Sequence, residues 1–332
     1  MQDAVLPVAE AGVTASVNLD LSQMRPAGFL RKMKQYEEEL IEKVSKGDGW
    51  VENTRCLVCA SDRRESQWRA HTVLLFECLE CGHHYFERMP RNLAEVYEGQ
   101  SYLDQSKSSY LSNLDYRLRR FAAERLAILA ANKPFVSGQR LLDVGCGTGW
   151  FLRAAKERGY HVSGFEFSSA LARFTADSVG CSVHDSDLAA IDSRFDIVTL
   201  FDVIEHVPRP VDTLNVIRGL LQPGGLVLVF CPNFDSVAIR ASKAESNLVM
   251  PTRHLSYFTK RSVHRLCALA GMELLWFETA GIDIGDIMAW RESRGMPRDL
   301  QLWQNMSDTL QPAIDELEVG NHLRFIAAAT GT

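Results

Sequence analysis

No run of apolar residues in this sequence approaches the ~20 needed to cross a bilayer, so a membrane-spanning protein is not expected. A basic excess is missing as well: lysine and arginine number 36 against 42 aspartate and glutamate, a formal net charge of −6. Proteins that grip nucleic acid usually present a positive surface, so this balance argues against that role. The N-terminus, MQDAVLPVAEAGV, has no basic start followed by a long apolar stretch and does not read as a signal peptide. A cytoplasmic location is the resulting expectation. Thiols stay reduced there, so the 8 cysteines read as metal ligands and core thiols, not as disulfides. With 46% hydrophobic and 23% charged residues over 332 positions, the composition is that of a globular protein, with room for one large domain and a small one.

The texture changes along the chain. Residues 1–50 divide into a polar, proline-broken stretch to about residue 27, expected to be mobile, and a helix. Phe29, Met33, Tyr36, Leu40, Ile41 and Val44 recur at helical spacing until Gly47. Residues 51–90 carry two cysteine pairs around a strand-like run, Thr72–Phe76. Residues 91–139 read as a helical segment, with Leu111, Leu114, Leu118, Phe121, Arg125 and Ile128 on one face, closed by a linker with Pro134 and Gly138. From residue 140 to 332 strands and helices alternate. The strand-like runs are Leu141–Val144, His161–Phe167, Cys181–Asp185, Phe195–Val203, Leu226–Cys231, Glu273–Phe277 and Leu323–Ala329. Helical runs Trp150–Arg158, Ser169–Val179 and Val211–Leu221 lie between them, and Gly159 and Gly180 stand where C-terminal caps belong. This alternation predicts a doubly wound α/β sheet.

The sharpest segment is Leu141-Leu142-Asp143-Val144-Gly145-Cys146-Gly147-Thr148-Gly149. A buried strand enters a glycine-rich turn that opens a helix, and glycine lets the backbone approach a ligand closely. The dinucleotide fingerprint wants a third glycine at position 150, where Trp150 stands. Asp143 suits a ligand that carries an ammonium and a sulfonium better than one that carries a pyrophosphate. Here the chain resembles the class I S-adenosylmethionine (SAM)-dependent methyltransferases, whose first motif reads D-x-G-x-G-x-G. The resemblance covers about residues 140 to 275. It implies a seven-stranded Rossmann-like sheet and a SAM site built from Asp143, Gly145, Cys146 and Gly147. It also implies that Glu166, with Phe167 beside it, holds the ribose hydroxyls, that Asp187 and Leu188 lie at the adenine, and that Asp202 follows the fourth strand near the reacting end.

In open α/β sheets ligands sit outside the carboxyl ends of the strands. The tip Phe201-Asp202-Val203-Ile204-Glu205-His206 therefore faces the methyl group, and His206 is a candidate general base. A Glu-His pair can equally just hold a loop. His254, in Arg253-His254-Leu255-Ser256-Tyr257-Phe258, is a second candidate, with helix capping or packing as its alternative, and Tyr257 is a third. The sugar C-methyltransferases carry a similar stretch, E-H-L-x-Y-F, but Arg253 replaces the acid here. In the same enzymes a tyrosine reaches the active site from a stretch like Tyr97–Tyr110, and Tyr102 is the nearest equivalent.

Cys56-x-x-Cys59 and Cys78-x-x-Cys81 have the spacing of a zinc ribbon, four thiolates for one structural Zn2+. The ribbon is expected to have a core separate from that of the α/β domain. Its arginines are offset by neighbouring acids and form no basic stripe. The ribbon-plus-domain layout is similar to bacterial methyltransferases acting on sugars and secondary metabolites. That resemblance implies a small-molecule acceptor, a hydroxyl of a sugar, sugar nucleotide or related metabolite. Two alternatives stay open: an rRNA or tRNA methyltransferase whose zinc module grips RNA, and a SAM-fold binding protein without catalysis.

Overall fold

The computed structural model describes residues 29–97, 113–296 and 300–330. The stretch before the first helix and Tyr102 lie outside the described residues. Helix α1, Phe29–Val44, buries Leu40, Ile41 and Val44 and is followed by the left-handed Gly47. Strand β1, Trp50–Glu52, pairs with β5, Arg88–Pro90. Between them β2 (Arg64–Ala70), β3 (Val73–Cys78) and β4 (His84–Phe86) run antiparallel. Helix α2, Ala94–Tyr97, closes the first described stretch. The next opens into a π-helical segment, Arg117–Ala122, continuous with helix α3, Ala123–Asn132.

The large sheet has seven strands. They are β6 (Arg140–Val144), β7 (His161–Phe165), β8 (Ser182–His184), β9 (Phe195–Phe201), β10 (Leu221–Pro232), β12 (Met272–Ala280) and β13 (His322–Ala329), in the order β12-β13-β10-β9-β6-β7-β8. All pairings from β10 to β8 are parallel, whereas β13 runs antiparallel to both of its neighbours. The predicted doubly wound sheet is thus present, with one strand reversed. Helices Trp150–Arg158 and Ser169–Val179 have the bounds that the sequence predicts, and their left-handed caps are Gly159 and Gly180. Strand β6 winds outward to β7 and β8, and the chain then returns to lay β9 on its other side. The connection reverses between β6 and β9, and in open α/β sheets the ligand crevice lies outside the carboxyl ends of the strands at such a reversal.

The expected separate core of the cysteine-rich lobe is not found. A further strand, β11 (Ser256–Tyr257), adds to the lobe's sheet, with Ser256 opposite Tyr85 and Tyr257 opposite His84. Cys56, Val58, Cys78, Cys81 and Tyr85 belong to the same hydrophobic cluster as Phe258, Val263, Leu266 and Cys267. The reason is size: about forty residues enclose too little apolar surface to form a core of their own, so the lobe borrows its floor from the α/β domain.

Candidate active site at the end of the central strands

Strand β6 delivers Asp143 and the glycine turn to the crevice. Gly145, Gly147 and Gly149 all have positive φ, at 71°, 54° and 76°. A Cβ on Gly145 would meet Val203 Cγ2 at 2.4 Å and one on Gly149 would meet Thr175 Cγ2 at 2.5 Å, whereas at Gly147 it would meet nothing within 4 Å. Two of these glycines are therefore fixed by packing, and the third borders open space, as a turn that cradles a ligand requires. The Gly145 and Cys146 N–H groups both donate to the Phe165 carbonyl, at 2.7 and 3.1 Å. The Cys146 thiol is buried and burial pushes its pKa well up, so it packs in the core.

Glu166 ties the turn to the end of β7. The Ser168 N–H donates to Oε1 and the Gly147 N–H to Oε2, both at 2.9 Å. Burial raises its pKa while these two bonds lower it. Each oxygen retains lone-pair capacity for a ligand hydroxyl. Beside it Phe167 is 46% exposed, an uncovered ring at the crevice where a flat ligand can stack. Asp187 is exposed and caps a short turn by accepting from Ala189 N at 2.9 Å, with Leu188 half-buried next to it. Asp143 is buried, and Thr199 Oγ1 donates to its Oδ1 at 2.7 Å. Burial raises its carboxyl to about 7, against the pull of Thr199 and Arg125.

At the tip of β9 the backbone is strained. Asp202 has φ 56°, sparsely populated for any residue but glycine. Its side chain is half exposed; against some desolvation, His322 Nε2 at 3.2 Å and the Arg125 guanidinium hold the carboxyl down at about 2. Arg125, on the predicted helical face, is buried with its guanidinium 4.6 Å from the ring centres of both Phe201 and Phe230. His322 and Thr199 have no signal in the sequence, because their partners lie 120 and 56 residues away.

The two candidate histidines meet. Their ring centres lie 4.8 Å apart. His206 Nδ1 donates to the Arg253 carbonyl at 2.8 Å and His254 Nδ1 to the Leu248 carbonyl at 2.7 Å. A carbonyl can only accept, so both rings carry their proton on Nδ1 and leave Nε2 with a lone pair. Burial lowers the His206 pKa to about 4 and pushes that of His254 well below the ordinary histidine value. Glu205 is buried beneath them, with its Oε1 3.8 Å from His206 Nε2 and neither carboxyl oxygen hydrogen-bonded. Burial first, and then Asp202, push its pKa well up. Glu205, His206 and His254 converge closely enough to hold a cation.

Tyr257, the third candidate, is withdrawn from the crevice. Its side chain is 1% exposed, its hydroxyl accepts from Met250 N at 3.0 Å, and burial pushes its pKa well up. Its ring meets His254 edge-on, 6.1 Å between centres, while the Tyr97 hydroxyl lies 3.0 Å from His206 Nδ1. The sequence points to the stretch of Tyr97 but not to this residue.

The four ribbon cysteines come together with all sulfurs within 4.8 Å of one another. Cys56 and Cys81 are 3.6 Å apart, Cys59 and Cys78 3.4 Å. Burial, and then hydrogen bonds with neighbouring thiols, push Cys59 up to about 11. Such a closed, all-sulfur set fits a tetrahedral structural metal and leaves no open position for catalysis.

Comparison with known proteins gives the family. A model described as a methyltransferase domain matches residues 110–275, half of the chain. A ubiquinone biosynthesis O-methyltransferase of Cereibacter sphaeroides is 38% identical over 123 residues, 35% of this chain and 49% of that protein. Its namesake in Pseudomonas aeruginosa is 28% identical over 164 residues, 46% of this chain and 68% of that protein. The chain thus spans about half the length of the first of these relatives. Among solved structures, magnesium protoporphyrin IX methyltransferase from Synechocystis with bound SAH is 12% identical, covering 72% of this chain and 99% of that one, at a TM-score of 0.49.

Proposed function

This chain belongs to the class I SAM-dependent methyltransferases, and from that premise we propose that it methylates a hydroxyl of a small-molecule acceptor, with His206 as the general base. The observation that carries the proposal is the paired histidine arrangement at the tip of β9. His206 Nδ1 is committed to the Arg253 carbonyl, so Nε2 stands ready for a proton, 3.8 Å from Glu205 Oε1. When bound, SAM supplies an electrophilic methyl group on a sulfonium. In transfer to a hydroxyl the methyl–sulfur bond would break to leave the neutral thioether, and His206 Nε2, held at the tip of β9, would accept the hydroxyl proton. Glu166, Gly147 and Phe167 would hold the nucleoside part, with Asp187 and Leu188 at the base and Asp143 and Asp202 toward the amino-acid end. Residues 51–90 form a zinc ribbon with Zn2+ on Cys56, Cys59, Cys78 and Cys81, ahead of the helical segment 91–139 and the catalytic domain 140–332.

Two lines bear on the acceptor. The relatives named for ubiquinone biosynthesis point to a hydroxyl on a ubiquinone precursor, and the ribbon-plus-domain layout favours a sugar or related metabolite. The acidic balance of −6 speaks for either over RNA. No helix among the described residues is long and apolar enough to cross a membrane. We place the enzyme in the cytoplasm, where the four thiols stay reduced.

The test is methyl transfer from radiolabelled SAM to paired phenolic and sugar acceptors, followed by mass spectrometry of the product. An O-methyl ether is expected. His206→Ala should slow its formation by about 10²–10⁴ without weakening SAM binding. Wild-type turnover in the variant would remove the histidine from the mechanism.

A further inference from the structure

Helix α1 carries a residue that its amphipathic pattern does not explain. Glu37 is 2% exposed, and a carboxylate is buried that deeply only when it is well paired. Its partners lie more than two hundred residues along the chain. The Thr252 N–H donates to Oε1 at 2.9 Å, Thr252 Oγ1 to Oε2 at 2.7 Å and Arg253 Nε to Oε2 at 3.2 Å. Arg253 is itself 7% exposed and lies over the Tyr36 ring, 5.4 Å from its centre. A buried ion pair is a poor source of net stability, because desolvation offsets most of the attraction. What it does well is fix one arrangement against others.

The turn that it fixes is the one that controls the histidines. The carbonyl of Arg253 receives the His206 Nδ1 proton. The next residue is His254, and Leu255 and Ser256 both donate backbone N–H groups to the Glu205 carbonyl, at 2.8 and 3.1 Å. Glu37 therefore grips the segment whose backbone orients His206, His254 and Glu205. Tyr97, 3.4 Å from the same Arg253 carbonyl, adds a smaller tie.

We infer that Glu37 is a positioning residue, which anchors the 250–254 turn so that the Arg253 carbonyl holds the His206 proton on Nδ1 and keeps Nε2 basic. The inference rests on the reading of His206 as the base. Without the anchor the carbonyl is free to shift away, leaving at Nδ1 the Tyr97 hydroxyl, which can donate as well as accept, so the proton can move to Nε2, where it blocks proton acceptance.

The full-length protein labelled with 15N in its histidine rings tests this. The His206 signals are assigned by their loss in His206→Gln. In the wild type they should show a protonated Nδ1 and an unprotonated Nε2. Glu37→Gln should shift them toward the other tautomer or an average of the two, while calorimetry finds SAM affinity unchanged. Methyl transfer should fall on the order of 10²-fold, the scale of a misplaced catalytic group. If Glu37→Gln fails to fold, Thr252→Val removes only one hydroxyl bond and should move the same signals less far. Unchanged His206 signals in the folded variant overturn the inference, as does a parallel loss of SAM affinity and thermal stability with the signals intact. If His206→Ala keeps full turnover, the base assignment fails, while the 15N result still decides whether Glu37 sets the tautomer.

Discussion

Replacing Cys81 with serine should disturb the histidine side of the crevice as well as the ribbon. The knuckle 78–84 is bonded directly to the segment that follows His254. Strand β4 pairs with β11 through Tyr85 and His84. Thr259 Oγ1 donates to the Gly82 carbonyl at 3.2 Å, and Arg261 donates to the carbonyls of Leu79 and Glu80 at 3.1 and 2.6 Å. His83 packs on Phe258 with ring centres 5.2 Å apart. Structural zinc sites supply on the order of 10 kcal/mol to the folding of small modules, so a lost ligand should melt the knuckle. At about 0.5–1.5 kcal/mol for each of these roughly five hydrogen bonds, the segment 255–261 then loses on the order of 5 kcal/mol of local stability. Hydrogen exchange there should speed up by about 10²–10⁴. The assay is exchange mass spectrometry on the wild type, on Cys81→Ser and on chelator-treated protein, after elemental analysis has confirmed one zinc per chain. Exchange confined to residues 51–90, with 255–261 still protected, would refute the shared core. Full zinc occupancy in Cys81→Ser would refute the ligand set.

The pH dependence separates two ionisations. Burial raises Asp143 to about 7, so part of the population is protonated at neutral pH, and the SAM ammonium favours the carboxylate. SAM affinity should therefore weaken as the pH falls below about 7, with proton release on binding detectable by calorimetry in buffers of different ionisation enthalpy; flat affinity from about pH 5 to 8 would take Asp143 out of the site. A base works deprotonated, and burial holds His206 at about 4, so the acidic limb of turnover should lie near pH 4 and not at the ordinary histidine value of about 6.5; a limb at that ordinary value would mean that His206 is not the titrating group.

Local chemistry is what the sequence makes legible. The turn after β6, the two capping glycines and the paired cysteines each depend on residues a few positions apart, and spacing reveals them. Contacts between distant segments leave no such trace. Glu37 stands among the charged residues between the helix's apolar positions, and nothing near it in the sequence points to Thr252 and Arg253, which hold it. Tyr257 reads as a candidate beside His254, but it lies in β11, the fourth strand of the ribbon's sheet, with its side chain buried. His206 and His254 could be nominated separately, yet their shared Nδ1-protonated state depends on two carbonyls that no motif announces. The reversed β13 follows from the Leu323–Ala329 run only once its neighbours are known.

Calorimetric titration of SAM into the wild type and into Glu166→Ala tests the cofactor site most directly. Glu166 holds the Gly147 and Ser168 N–H groups and would take the ribose hydroxyls. Bonds to a charged acceptor are worth about 1.5–3 kcal/mol, so one SAM should bind per wild-type chain and the variant should bind it roughly 10- to 150-fold more weakly. Equal affinity in the two proteins would contradict the account and move the nucleoside away from the crevice between β6 and β9.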